Sequence, residues 1–275
     1  MSITTKQFLS QEQIDSYWEH GYLRVADVFS PEETAELSDE MNRLMAEWAK
    51  KSQGWTGAWR KKYMDSDTEK ASKLVAMHDL QFYSAAWTRA VTHPSVAAII
   101  SDLLDGPVEF HHSTMHVKPP QTGHPFPMHQ DYPFYEHTNE RYVDVLVHLD
   151  DTNDRNGEIR FQDGSHKMGK LEHVRENEDG TPCSPFLPLD DYPLENTVPV
   201  PAKAGDLVLF NIYTIHGSYI NRTDQPRRLV RVGYRDPDNT QLAGQSLGRP
   251  GWMIAGGRPR REGRELFAQY EAVSK

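Results

Sequence analysis

Through the first hundred residues apolar side chains recur every third or fourth position, and beyond them they alternate or run in short blocks. Helical side chains return to one face after about 3.6 residues and strand side chains after two, so the chain predicts helices first and strands second. Ile14, Tyr17 and Trp18 make one such helical face, with Ser10 before Gln11-Glu12-Gln13 as a capped start and Gly21 at its end. Tyr22 to Val28 alternates as a short strand. Ser30 then caps a second helix with Pro31 at its first position, and Leu37, Met41, Leu44, Met45 and Trp48 give it one apolar stripe, which reads as core. Residues 77 to 104 read as helical again. His93-Pro94-Ser95 opens the last helix and Asp105-Gly106-Pro107 stops it.

The strands are predicted at Val108 to Val117, Val143 to Leu149, Glu158 to Gln162, Asp206 to Asn211 and Leu229 to Tyr234, with tight turns at Asn156-Gly157 and Asp163-Gly164. Short strands after a helical start predict a mainly β protein with flanking helices, a sandwich or jelly-roll. No linker or repeat divides it. One domain is expected over 1–275, with a helical part to about 105 and a β-core over about 108–236. Two stretches break the pattern. Residues 50–75 interleave Trp55, Trp59 and Tyr63 with Arg60, Lys61 and Lys62, which fits either a solvated loop with packed aromatics or the wall of a substrate pocket. Residues 169–204 are rich in Pro, Asp and Glu with no apolar period, as in a lid or a poorly ordered loop.

A net charge of −10 argues against nucleic acid or an anionic membrane as the main partner, leaving a small molecule as the expected one. The polar start, Met1 to Ser16, does not read as a signal peptide, and no apolar run approaches the roughly 20 residues of a membrane span. The one cysteine, Cys183, excludes an intramolecular disulfide and a zinc site of clustered thiolates, and a cytoplasmic location is expected.

The candidate chemistry starts at Met128-His129-Gln130-Asp131-Tyr132. In an extended strand His129 and Asp131 would point to the same face and reach one metal ion together. A third ligand is expected at His216, which follows the predicted strand over 206–211 through Ile212 to Ile215. Two imidazoles and a carboxylate on one side of an ion leave the opposite positions open, as non-haem Fe(II) requires when co-substrate and O₂ both bind it. Eleven residues after His216 comes Arg227, whose guanidinium can grip a carboxylate in two bonds, with Ser218 adding a hydroxyl. Arg228 and Arg231 compete for that role. Strand parity puts Arg231 on the face of Arg227 and Arg228 on the other, so Arg228 reads as structural. His111, His112, His124, His137, His166 and His173 read mostly as loop or surface histidines, and His148, on an apolar strand, is the one to test as a pocket residue.

The order His129-Gln130-Asp131, Gly164-Ser165-His166-Lys167, His216-Gly217-Ser218, Asn221 and Pro226-Arg227 resembles the phytanoyl-CoA dioxygenase family of Fe(II)- and 2-oxoglutarate-dependent oxygenases. Many relatives read Pro-Gly-Ser-His where this chain has Asp163-Gly164-Ser165-His166. The resemblance covers most of the chain and implies a double-stranded β-helix core. It implies that His129, Asp131 and His216 bind iron, that Arg227 and Ser218 hold the distal carboxylate of 2-oxoglutarate, and that Thr114, His116, Phe126 and Tyr135 line the co-substrate pocket. It further implies use of O₂ with release of succinate and CO₂. Asp131 stands where halogenating relatives have a small residue, so oxidation, hydroxylation first of all, is the expected outcome. The alternatives are a cupin-like metal protein without 2-oxoglutarate, or a non-catalytic small-ligand binder. Relatives act on acyl thioesters, amino-acid-like solutes and secondary metabolites, so the family does not choose the substrate. The Trp55-Trp59-Arg60 region, the 169–204 loop and Arg249-Pro250-Gly251-Trp252 are its candidate walls.

Overall fold

The computed structural model describes residues 8–259. Met1–Gln7, at the polar start, and everything after 259 lie outside the described residues. The helices are α1 (Gln11–His20), α2 (Pro31–Glu47), α3 (Trp59–Tyr63), α4 (Ser66–Ala71), α5 (Ala85–Val91) and α6 (Pro94–Leu104). Ser10 with Gln13 and Ser30 with Glu33 both form reciprocal capping boxes, which satisfies backbone N–H groups that a helix start leaves open.

The strands are β1 (Tyr22–Val25), β2 (Lys50–Ser52), β3 (Leu74–His78), β4 (Val108–Lys118), β5 (Phe126–His129), β6 (Tyr142–His148) and β7 (Ile159–Phe161). They continue as β8 (Val174–Glu176), β9 (Pro182–Phe186), β10 (Val198–Val200), β11 (Leu207–Asn211), β12 (His216–Ser218), β13 (Arg227–Arg235) and β14 (Trp252–Ala255). The larger sheet runs β1-β11-β6-β13-β4-β3-β2, with β14 also on β4; the smaller runs β10-β7-β12-β5, and β8-β9 is a separate hairpin. Every pair of named strands is antiparallel. This is the jelly-roll with flanking helices that the alternation predicts.

Period-two alternation decides what each face of the large sheet meets. Met115 and Val117, Val143, Val145 and Val147, and Val230 and Val232 pack in one apolar cluster with Leu37, Met41 and Leu44 of α2, Trp87 of α5 and Ile99, Ile100 and Leu103 of α6. Burying a side chain of this size contributes roughly 1.5–3 kcal/mol. Their neighbours in the same strands, Thr114 and His116, Leu146, and Arg227, Leu229 and Arg231, line the cavity between the two sheets. One face therefore glues the sheet to its helices and the other builds the site.

Several boundaries differ from expectation. Residues 74–78 form strand β3, with a 3-10 turn at Leu80–Phe82, and helix resumes only at Ala85, because Val75 and Met77 pack on the core while Leu74, Ala76 and His78 face the cavity. The first strand stops at Val25, as Asp27 takes a positive φ to let its backbone N–H meet Asp206. The 50–75 stretch holds β2 and two short helices. Arg60 is buried there and donates to the carbonyls of Gln53, Trp55 and Glu69, so it staples the segment internally. The 169–204 stretch contains the β8-β9 hairpin and β10, and anchors through buried Phe186, Leu187 and Leu194.

Candidate active site

The two histidines meet because β5 and β12 are paired in a register that sets His216 directly opposite His129. Their ring centroids are 4.2 Å apart. His129 Nδ1 lies 2.7 Å from the Pro127 carbonyl and His216 Nδ1 3.0 Å from that of Thr214. A carbonyl only accepts, so both rings carry a proton on Nδ1, which leaves Nε2 as the atom each ring turns toward Asp131 and the cavity.

Asp131 arrives differently from the strand geometry expected. β5 ends at His129, and Asp131 has helical dihedrals (φ −83°, ψ −21°) at the start of a 3-10 turn over Tyr132–Phe134. Its N–H donates to the Ile212 carbonyl at 3.2 Å, which ties the turn down. The bend, and not strand parity, swings the carboxylate back, leaving Oδ1 3.4 Å from His129 Nε2 and 3.7 Å from His216 Nε2. Gln130 between them is buried and faces away. Its amide donates to the carbonyls of Gly169 and Tyr213 and accepts from the N–H of Leu171, each at 2.7–3.0 Å.

Behind Asp131 lies a polar network. Oδ2 accepts from the Tyr135 hydroxyl at 2.6 Å and from Arg231 Nη1 at 3.1 Å, and Tyr135 and Arg231 both reach the fully buried Asp144. Burial alone would raise the Asp131 carboxyl, but Arg231 and His216 hold it well below its ordinary value. Burial and the neighbouring Asp131 push Asp144 the other way, well above. Tyr135 thus stands behind the triad instead of in the cavity wall. Arg231 also donates to His112 Nε2, so two of its three nitrogens are occupied.

Arg227 is the opposite case. It is 2% exposed, lines the cavity, and its Nε and Nη1 have no partner. Burial lowers its pKa to about 10, so it remains a cation at neutral pH. Beside it the buried Lys118 donates to Ser218 Oγ at 2.7 Å and to the Tyr219 carbonyl. Sequence reading missed Lys118; its parity with Thr114 and His116 on β4 was the available signal, and its register opposite Arg227 shows the result. Arg228 turns outward to pair with Asp150 at 2.7 Å, in line with strand parity.

The cavity between the sheets has a volume of about 260 Å³. Thr114, His116 and Phe126 line it, as do Trp55, stacked on Phe134 at 4.7 Å, and Gln245. Trp59 packs instead with Met64 and Phe186. Neither the 169–204 stretch nor Arg249 to Trp252 contributes lining residues; Arg249 pairs with Asp79 and Trp252 packs against the core. His148 is buried with Nδ1 near the Leu146 carbonyl and does not line the cavity. The histidines expected at the surface are largely buried. His111, His112, His124, His137 and His173 are each under 8% exposed, because each finds a buried partner such as Tyr142, Arg231, the Trp55 carbonyl, Arg235 or the Gln130 N–H.

Facing antiparallel sheets that hold a His-x-Asp and a distal histidine at one cavity, with a buried unpaired arginine lining it, define the class of Fe(II)- and 2-oxoglutarate-dependent oxygenases. Within that class, the model of the phytanoyl-CoA dioxygenase family (PhyH) matches residues 17–229, and the chain belongs to this family. A probable alpha-ketoglutarate-dependent hypophosphite dioxygenase of Stutzerimonas stutzeri is 29% identical over 237 residues, covering 85% of this chain and 81% of that one. The ectoine dioxygenase of Bordetella parapertussis is 28% identical over 251 residues, covering 84% and 77%. The same fold recurs in the carbocyclase SnoK from nogalamycin biosynthesis (22% identity, TM-score 0.69, 86% of this chain and 88% of that one). It recurs also in EctD from S. alaskensis with 2-oxoglutarate and 5-hydroxyectoine (22% identity, TM-score 0.66, 94% and 87%). The protein is accordingly an Fe(II)/2-oxoglutarate-dependent dioxygenase of hydroxylase type.

Proposed function

We propose that His129 Nε2, His216 Nε2 and Asp131 Oδ1 hold the iron, and that Arg227 with Ser218 holds the distal carboxylate of 2-oxoglutarate. The observation that carries this is the buried guanidinium of Arg227, which lines the same cavity as the triad and has two nitrogens without a partner. A buried cation with open N–H groups is costly unless an anion comes to it, and a guanidinium matches a carboxylate in two parallel bonds. The donor set suits iron too: two Nδ1–H···O=C bonds orient the imidazoles with Nε2 as the ligating atom, and the carboxylate is held ionised. When bound, the iron with 2-oxoglutarate and O₂ supplies the oxidising chemistry.

The remaining residues orient and insulate. Lys118 donates to Ser218 Oγ, so the serine's own hydrogen is available for the co-substrate. Tyr135 and Arg231 occupy Asp131 Oδ2 and leave Oδ1 for the metal. Trp55 lies edge-on to His129 at 4.7 Å and, with Phe134, screens that ring from water. His129→Ala and His216→Ala are expected to abolish substrate-dependent succinate release and equilibrium Fe(II) binding together. Retention of both by either variant removes that ligand from the assignment. The relatives named for hypophosphite, ectoine and 2-aminoethylphosphonate act on compact polar molecules, and a compact substrate suits a cavity of about 260 Å³ shared with 2-oxoglutarate.

A further inference from the structure

A second set of donors lines the same cavity, apart from the Arg227 pair. Three neighbouring strands bring it together in register, with His78 on β3 opposite Thr114 on β4 and Thr114 opposite Arg231 on β13. Among the described cavity-lining residues, only Arg227 and Arg231 keep buried side-chain N–H groups without a partner. Arg231 spends Nη1 and Nη2 on Asp131, Tyr135, Asp144 and His112, yet its Nε is unpaired. An unsatisfied buried donor calls for a partner, as it does at Arg227.

The other two residues add one more hydrogen. His78 Nδ1 lies 3.1 Å from Thr114 Oγ1. If the threonine donates to Nδ1, the imidazole proton sits on Nε2 and is free for a guest. If Nδ1 donates, the threonine hydrogen is free instead. Either tautomer leaves one donor in the register row that also carries Arg231. The acceptor side is poor: Asp131 is the one carboxylate among the described lining residues, and its oxygens already face the histidines, Tyr135 and Arg231. A cationic guest finds no counter-ion here, and an anionic one finds donors.

We infer that Arg231 Nε, Thr114 and His78 form a subsite for the acidic group of the substrate, which makes that substrate a compact carboxylate or phosphonate. The subsite rests on the assignment of Arg227 to 2-oxoglutarate, since otherwise the co-substrate is free to take it. Arg227 and Arg231 are four residues apart on one strand, roughly 13 Å between Cα atoms, which leaves room for two separate anions. The cavity sets the size. At about 260 Å³ for both molecules it is smaller than the roughly 300–1,000 Å³ of sites for drug-sized ligands.

The test uses the anaerobic protein loaded with Fe(II) and 2-oxoglutarate, titrated with butyrate, propylphosphonate, butyramide and butylamine, and followed by the visible charge-transfer band and by calorimetry. At least one acid is expected to bind with a Kd tenfold or more below those of the amide and the amine, and the tighter acid identifies the group. Thr114→Val and His78→Leu are each expected to raise that Kd at least fivefold, and His78→Leu to do so while leaving the 2-oxoglutarate Kd unchanged. Absence of binding by both acids, or amide or amine binding as tight as theirs, overturns the inference. So does a variant that weakens 2-oxoglutarate and not the acid, because the cluster then serves the co-substrate. If the band itself never forms, the oxygenase assignment fails at an earlier step, and the two failures are told apart.

Discussion

Arg227→Met tests the co-substrate assignment from two sides. Methionine retains the length and apolar stem of the side chain and deletes the guanidinium. Hydrogen bonds to charged groups contribute about 1.5–3 kcal/mol each, so losing two, from Nε and Nη1, removes about 3–6 kcal/mol of 2-oxoglutarate binding. The low end already corresponds to roughly a hundredfold rise in Kd. Without ligand the sign reverses. Both nitrogens are buried and unpaired, so deleting them should leave the free protein at least as stable as the parent. Thermal unfolding with Mn(II) in place of iron reads both effects without turnover. At a 2-oxoglutarate concentration of about 100 Kd the parent gains about 2.7 kcal/mol, and the variant, now near its own Kd, about 0.4 kcal/mol. For a chain of 275 residues the parent's gain amounts to several degrees in Tm. A full ligand shift in the variant would refute the assignment. A ligand-free variant several degrees less stable would show that Arg227 serves the fold and not an anion.

Tyr135→Phe removes one of two hydrogen bonds on Asp131 Oδ2 and should weaken Fe(II) binding by about 10–100-fold, as outer partners of metal ligands do; equilibrium dialysis showing parent-like affinity would contradict its positioning role. Gln130→Ala strands two carbonyls and an N–H around residues 169–213, and a loss of about 3 kcal/mol or more in urea unfolding is expected, with no change meaning that water replaces the amide without cost. His124, His137 and His148 are neutral by burial, with pKa values lowered to about 3, 3 and 4. Their folded pKa values lie below the unfolded one, so the unfolded chain binds more protons as pH falls through about 6.5. Stability is then lost progressively from there down to about pH 4 for His148 and about pH 3 for His124 and His137, by up to about 1.4 kcal/mol per pH unit for each group. Flat denaturant midpoints between pH 6.5 and 4.5 would count against buried neutral imidazoles.

The alternation of Val143, Val145 and Val147, and of Val230 and Val232, was legible because period two states which residues share a face, and those faces pack on the helices. The strands that went unseen are the short ones. β5, β12 and β14 span four, three and four residues, too few to display a period, and β12 reads simply as His216-Gly217-Ser218. The region around β3 was misread for a related reason. Its residues fell across the irregular 50–75 stretch and the helix expected from 77, and because Leu74, Val75 and Met77 face two different apolar environments no period of two shows. The buried histidines were invisible because their partners are remote: His112 meets Arg231, more than a hundred residues away.

At the site, residue types and spacing identified the triad, but for one member by a geometry the chain does not use. His-x-Asp on a strand would set both groups on one face; here the strand ends at the histidine and a 3-10 turn does the work. The outcome is the same because i and i+2 across such a turn also converge, so the motif is informative about chemistry and silent about backbone. The choice between Arg227 and Arg231 shows the complementary limit. Strand parity rejects Arg228 and leaves the other two equal, both facing the cavity. What separates them lies outside β13. Asp131 arrives on the turn after β5 and Asp144 on β6, and both end beside Arg231, whose Nη1 is thereby committed to the triad's carboxylate and its neighbour, with Nε alone left over. Among the described residues no carboxylate forms an ion pair with Arg227; Lys118 stands opposite it on β4, and two of its nitrogens are left without a partner. An anion site is thus specified less by the arginine than by the acids that other elements withhold from it, and those are contacts no local window contains.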